Sequence, residues 1–372
     1  MLRAWLLRVS PAVVVGLNAC GGDPAAQNTA PRAGFSAECV QLTCTFTDQS
    51  ADPDGVITAR VWNYGDGTTP GDAASHQYQA AGKYIVTLTV TDDAGATDAA
   101  SQALDVVAPA SDVTFIGAGD IAGCPAGYED ETTAALVEQY PTATVFTLGD
   151  NAYPDGTASD FSDCYAASWG RFKDRTRPAP GNHDYHSAGA PGYFGYYGAL
   201  AGPPGRGYYS YDLGGWHIIS LNSEIDAGAT SLQADWLRQD LLDHPSACSL
   251  AYWHKPLFTS GLHSPETAMR PLFSILYDSG VDVVLSGHNH QYERFAPQRP
   301  DQSRDDAHGI RYFVVGSGGA ALYEFPRSEP NSEVRYKGFG VLRLTLAANG
   351  YHWEFLPVPG ATFRDAGTGE CH

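Results

Sequence analysis

Positive charge is scarce in this sequence. Only 22 lysines and arginines stand against 42 aspartates and glutamates, a formal net charge of −20 over 372 residues. A general basic surface for nucleic acid or anionic lipid is thereby excluded, because such surfaces work by neutralising phosphates. Charge as a whole is low at 17%, and hydrophobic residues make up 43%. The long solvated tracts of a disordered chain are therefore missing too. No internal repeat is visible, and the N-terminal apolar run, residues 11–17, is too short to cross a bilayer.

What is present at the N-terminus reads as an export signal over residues 1–19. Arg3 and Arg8 supply the positive flank. Leu17-Asn18-Ala19-Cys20 resembles a bacterial lipobox, in which the cysteine after the cut is acylated; the other reading is a plain secretory signal with Cys20 incidental. The expectation is an exported lipoprotein held to a membrane by acyl chains alone, otherwise a secreted protein. Residues 20–32 are rich in Ala, Gly and Pro and suit a flexible tether. With Cys20 set aside, six of the seven cysteines remain, an even number for an oxidising compartment. Cys39 and Cys44 are near enough to staple a local turn. Cys124 with Cys164 and Cys248 with Cys371 is the expected pairing of the rest, since each would tie a loop or tail to a core strand, although the spacing leaves other pairings open.

Residues 33–108 read as all-β, with alternating runs such as Tyr84–Val90 between turn residues. Trp62-Asn-Tyr-Gly-Asp-Gly67, and His76-Gln-Tyr78 followed by residues 82–92, resemble the PKD domain, a small immunoglobulin-like sandwich. That resemblance implies a spacer, or a module contacting glycan or protein.

After a Val-Ala-Pro-Ala linker the pattern changes over residues 111–372. Apolar runs at 113–116, 144–148, 217–221, 250–252, 281–285 and 312–315 predict strands. Helical stretches at 132–139, 231–243 and 265–277 lie between several of them, which predicts a layered α/β domain. Two further runs joined at Asn349-Gly350 predict a hairpin.

Polar clusters cap these strands, where open α/β sheets place their sites. In order they are Gly119-Asp120, Gly149-Asp150-Asn151-Ala152-Tyr153, Gly181-Asn182-His183-Asp184, His254 and Gly287-His288-Asn289-His290. Carboxylate, imidazole, carboxamide and phenol together suit iron, zinc or manganese with no thiolate. One carboxylate can bridge two ions, the arrangement used for displacement at phosphorus.

In this order and with Gln291-Tyr-Glu-Arg294 following, the clusters resemble the motifs of purple acid phosphatases within the calcineurin-like metallophosphoesterases. The resemblance spans roughly residues 112–357 and implies a four-layer α/β/β/α sandwich. It implies that Asp120, Asp150, Tyr153 and His290 hold a first metal, and that Asn182, His254 and His288 hold a second, with Asp150 bridging. The metals would be Fe(III) paired with Fe(II), Zn(II) or Mn(II). The sequence departs from the family pattern at Ala122, where glycine is usual and where other branches place a histidine ligand, and at Ala251, where valine is usual. Tyr153 is then the donor that Ala122 cannot be.

The implied activity is hydrolysis of small phosphate monoesters by hydroxide activated at the metals, with phosphodiester or nucleotide hydrolysis as the rival and a silent binding protein as the remaining alternative. His183 and His263 are the two candidates for proton donor to the leaving group; the favoured assignment makes His263 the donor and His183 the phosphate binder, the reverse stays open, and Asp184 is able to orient His183. His186, His217 and His244 have no such context and read as surface or structural residues. The run 193–211, dense in Tyr, Gly and Pro, reads as loop and hairpin packing or as a pocket wall. Tyr292, Glu293 and Arg294 read as bracing the final ligand loop, with Arg294 a weaker phosphate-binding candidate.

Overall fold

The computed structural model describes residues 27–107, 112–124 and 127–372. The expected signal segment and Cys20 lie outside the described residues. The chain divides into two compact units, one up to Pro109 and the other from Ala110 onward.

The first unit is a sandwich of two three-stranded antiparallel sheets. One holds β1 (Phe35–Val40), β2 (Thr43–Asp48) and, beyond β3, β4 (Ser75–Gln77); the other holds β3 (Ile57–Asn63), β5 (Gly82–Asp92) and β6 (Thr97–Val106). Alternate residues of β5, Val86, Leu88 and Val90, turn inward with Phe46, Trp62 and Tyr78 to form the core, as a two-residue period demands. Cys39 and Cys44 face each other across β1 and β2 and are disulfide-bonded. The end of the expected tether is not free. Asn28 donates to Asp92 at 2.8 Å, and Arg32 exchanges backbone hydrogen bonds with Ala51. Unpaired backbone groups of the sandwich thus recruit residues whose composition alone suggested a coil.

The second unit packs two sheets face to face. The first sheet has the order β11-β9-β7-β19-β20-β21 and the second β12-β13-β14-β15-β17-β16-β18. In chain order these elements are β7 (Val113–Ala118), the short β8 (Ala122–Gly123), α1 (Asp130–Glu138), β9 (Thr144–Leu148), β10 (Ala152–Tyr153), β11 (Thr176–Ala179), α2 (Pro191–Tyr197), β12 (Tyr209–Leu213), β13 (Trp216–Ser220), α3 (Leu232–Asp243), β14 (Ser249–Trp253), α4 (Arg270–Asp278), β15 (Val283–Ser286), β16 (Tyr292–Phe295), β17 (Arg311–Val315), β18 (Ser332–Tyr336), β19 (Gly340–Ala347), β20 (Gly350–Pro357) and β21 (Asp365–Glu370).

Strand β14 shows why its sequence is a continuous apolar run. Leu250 and Tyr252 face the core between the sheets, whereas Ala251 and Trp253 face α3 and α4. A strand covered on both sides needs no polar face. Full burial of a side chain the size of Leu250 contributes roughly 1.5–3 kcal/mol. Helix α1 covers the other sheet through Ala134, Leu136 and Val137, which completes the four layers. Of the run 193–211, read as loop and hairpin packing or a pocket wall, residues 193–197 are helical, in α2, whereas residues 209–211 lie in β12, which pairs antiparallel with β13. Tyr193 and Tyr197 are buried, and their hydroxyls donate to Pro178 O and Asn151 Oδ1. Cys124 is bonded to Cys164 and Cys248 to Cys371.

Candidate metal centre

Parallel strands deliver the candidate ligands. Asp120 follows β7, Asp150 follows β9, Asn182 follows β11, His254 follows β14, and His288 and His290 follow β15. Tyr153 ends β10, whose parallel pairing places Ala152 beside Ala122 and Tyr153 beside Gly123. Ala122 is thus a buried residue of β8, the strand that pairs with the one carrying Tyr153.

Three candidate ligands have left-handed backbones without being glycine: Asp120 (φ 61°), Asp150 (φ 48°) and His288 (φ 67°). Such strain costs on the order of 1–3 kcal/mol per residue and gathers where structure serves function. Next to Asp150, Gly149 is required on two counts. Its φ is +83°, and a Cβ there would stand 2.6 Å from the His254 ring.

The donor atoms fall into two groups that share one atom. Tyr153 Oη lies 3.3 Å from Asp120 Oδ1, 3.2 Å from Asp150 Oδ2 and 3.2 Å from His290 Nε2. His254 Nε2 lies 3.3 Å from the same Asp150 Oδ2, 3.1 Å from Asn182 Oδ1 and 3.1 Å from His288 Nδ1. Atoms bound at about 2.0–2.2 Å to one cation stand about 3.0–3.5 Å from one another. Both groups fit that spacing, and their chemistry suits two hard or borderline cations bridged by Asp150.

The surroundings fix four of the candidate donors. Asp120 Oδ2 accepts from the His288 amide and Asp150 Oδ1 from the His183 amide, both at 2.8 Å. His254 Nδ1 bonds Leu148 O and His290 Nδ1 bonds Ala321 O, each at 2.7 Å, so Nε2 of both rings faces the centre. Asp120 and Asp150 are almost wholly buried, and their ion-pair partners are histidines. Burial opposes the charge on His254, but the Asp150 carboxylate prevails and lifts its pKa to about 10. Burial and the neighbouring His254 hold His288 down at about 2. Burial, then the charges of Asp150 and Asp120, push the Tyr153 phenol well above its usual range. Two buried carboxylates this close call for positive charge, which cations supply in place of protons.

The two non-ligand histidines flank the centre. His183 Nε2 is 3.9 Å from Asp150 Oδ2, and its Nδ1 bonds Pro154 O at 2.6 Å. Asp184 does not orient it. That carboxylate turns inward to Gly181 N and Asn151, and burial followed by the Asp150 charge raises its pKa to about 7. The ring of His263 lies 4.4 Å from that of His288; burial, then the neighbouring His290, lowers its pKa. Arg294 is not a phosphate binder. Its guanidinium is taken by Asp365 and Glu333, an acidic neighbourhood assembled from distant strands. Tyr292 bonds Asp365, and Glu293 accepts from Ser260 and Ser332, so this segment braces the final ligand loop.

Sequence reading missed Tyr323, which stacks on His290 at 4.0 Å and sends its amide to His290 O. It also missed Tyr128, 5.6 Å from the Tyr153 ring. Neither sits in a pattern that could have singled it out.

Residues 23–108 match the family model for the PKD domain, and residues 111–292 match that for the calcineurin-like phosphoesterase. The chain is similar to purple acid phosphatase 15 of Arabidopsis thaliana, 27% identical over 226 residues, which cover 51% of this chain and 42% of the relative. Its first unit is similar to the pre-pro-metalloprotease PrtV of Vibrio cholerae, 40% identical over 84 residues, 22% of this chain and 9% of that one. The chain thus spans less than half the length of these curated relatives. A purple acid phosphatase from yellow lupin (Lupinus luteus) seeds shares the fold with a TM-score of 0.58 and 18% identity, over 92% of this chain and 74% of that one. Behind the segment that matches the PKD domain, the chain thus carries a stretch that matches the calcineurin-like phosphoesterase family model, and it is similar to the purple acid phosphatases.

Proposed function

We propose that the protein hydrolyses phosphate monoesters at a two-metal centre. Asp120, Asp150, Tyr153 and His290 would hold one ion, and Asp150, Asn182, His254 and His288 the other. The observation that carries this reading is Asp150 Oδ2, which lies 3.2 Å from Tyr153 Oη and 3.3 Å from His254 Nε2 and so belongs to both donor groups. The bound cations would act as Lewis acids on the phosphoryl oxygens and lower the pKa of water towards neutrality. The phenol of Tyr153 is a hard anionic donor once ionised, which favours a ferric ion in the first position beside a divalent iron, zinc or manganese ion.

The chain's own residues then bind the ester and move its proton. Pro154 O takes the Nδ1 proton of His183, so Nε2 faces the centre and donates to a phosphoryl oxygen when the ring is protonated. His263, beside His288, gives a proton to the leaving alkoxide. Its loop is held by Asn289, whose Oδ1 accepts from the His263 amide at 2.8 Å.

Three disulfides and a PKD domain suit an exported protein. No described helix is long and apolar enough to cross a membrane. Anchoring through an acylated Cys20, and glycan or protein contact by the PKD domain, belong to the same proposal. Elemental analysis and a visible spectrum of the purified protein, followed by p-nitrophenyl phosphate beside its bis-ester, test it. Two metal equivalents and a preference for the monoester are expected. A clear preference for the diester overturns the monoester reading in favour of a phosphodiesterase, and a metal-loaded protein that cleaves neither ester overturns the enzymatic one.

A further inference from the structure

At the other end of the same strands lies a second cluster, which includes two of the histidines read as surface or structural residues, His217 and His244. His217 opens the pairing of β13 with β14 opposite Ser249. His254 is five residues further along, about 16 Å at strand rise. His217 has 2% of its surface exposed, and each ring nitrogen meets a carboxylate at 3.0 Å: Nδ1 meets Asp212 and Nε2 meets Asp240. Asp240 and His244 stand one turn apart at the end of α3, so their side chains share a face. His244 Nδ1 is 3.4 Å from Asp240 Oδ1, and the His244 ring lies parallel to that of His217 at 5.0 Å. One donor atom from each of the three residues falls within 4.8 Å of the others.

From this geometry we infer a separate binding site for a zinc-type divalent cation, with His217, Asp240 and His244 as ligands. Two imidazoles and one carboxylate without thiolate suit zinc(II) and its borderline neighbours better than magnesium or calcium, which want oxygen cages. Outer partners are in place as well. Asp212 on Nδ1 leaves Nε2 of His217 as the ligating nitrogen, the carboxylate–histidine–metal arrangement. Ser210 Oγ donates to Asp240 Oδ1 at 2.7 Å and orients that carboxylate. A cleft of about 200 Å³ lined by His217, His244, Ser246 and Ser249 opens beside the two histidines.

Without an ion, a proton does this work. Both neighbours of His217 are acceptors when ionised, so the ring donates from both nitrogens and is an imidazolium. A divalent ion replaces the proton on Nε2 and clips the end of α3 to β13. The inference stands independently of the phosphoesterase reading, because no ligand is shared.

The test uses the full chain, stripped with chelator and then equilibrated with zinc chloride at neutral pH. Zinc bound per chain is counted for the parent and for His244→Ala and Asp240→Asn. His244 is half exposed, so its removal leaves the core packing intact. The parent is expected to bind one more zinc equivalent than either variant. Zinc should raise the melting temperature of the parent more than that of His244→Ala. Phosphatase activity of His244→Ala should equal that of the parent. Equal zinc counts in the parent and His244→Ala overturn the inference. So does loss of activity together with the ion, which would assign that ion to the catalytic centre.

Discussion

Strands β13 and β14 carry a histidine–aspartate cluster at each end, and the two ends are built differently. At the C-terminal end the donors sit in loops, three of them on left-handed backbone, with their second atoms held by amides and carbonyls. At the N-terminal end Asp240 and His217 lie in an ordinary helix and an ordinary strand, with His244 capping the helix. Regular elements can bring three donors together at little cost in strain. Assembling seven donors around one shared oxygen requires loops held in poses that a free chain avoids.

The strongest challenge to this contrast is Asp150→Ala. It removes the shared oxygen and should lower kcat/KM on p-nitrophenyl phosphate by at least about 10³-fold, or about 4 kcal/mol, with metal content falling below two equivalents. A variant retaining both metals and most activity would show that the two donor groups do not depend on one another. Gly149→Ala probes the strain directly. A methyl group 2.6 Å from the His254 ring on a left-handed backbone should destabilise the protein by about 1–3 kcal/mol, read as a lower urea midpoint, and should weaken metal retention. An unchanged midpoint would mean that this loop is less constrained than its geometry implies.

His263→Ala and His183→Ala should each cost about 10²-fold. They separate by leaving group. His263→Ala should hurt alkyl phosphates much more than p-nitrophenyl phosphate, whose leaving group needs no proton. His183→Ala should hurt both alike and act mainly on KM. The reverse pattern would exchange the two roles. Tyr153→Phe should abolish any visible tyrosinate-to-iron band and reduce activity about 10–100-fold. A parent protein with zinc alone and no such band would remove the ferric assignment.

The smallest effect belongs to the far end. Burial opposes the charge of His217, but Asp240 and Asp212 outweigh it and hold the pKa above 6.5, with His244 stacked alongside. A raised folded-state value stabilises the protein fully below about pH 6.5, and that stabilisation is lost as pH rises through the folded value. In chelator, the melting temperature of the parent should therefore fall relative to His217→Gln as pH passes from 6 to 9. Parallel curves would show that His217 is neutral in the folded protein.

Much of the candidate site was legible because its residues sit just past apolar runs of strand length, and chain order reproduces strand order at the sheet edge. Asp184 was misread for the same reason. Adjacency in sequence suggested a partner for His183, but a turn sends the two side chains apart, His183 to Pro154 O and Asp184 to Asn151. Arg294 looked available until β18 and β21 supplied Glu333 and Asp365.

The sequence by itself determined the two-unit organisation, the layered α/β character and which residues are candidates for donors. Those follow from hydrophobic period and from residue chemistry, both local properties of the chain. Only the tertiary structure decided that one oxygen of Asp150 faces both donor groups, that Tyr323 stacks on His290, and that His217 meets Asp240 and His244. Such meetings depend on register and side-chain direction between segments far apart in the chain, which no local pattern encodes.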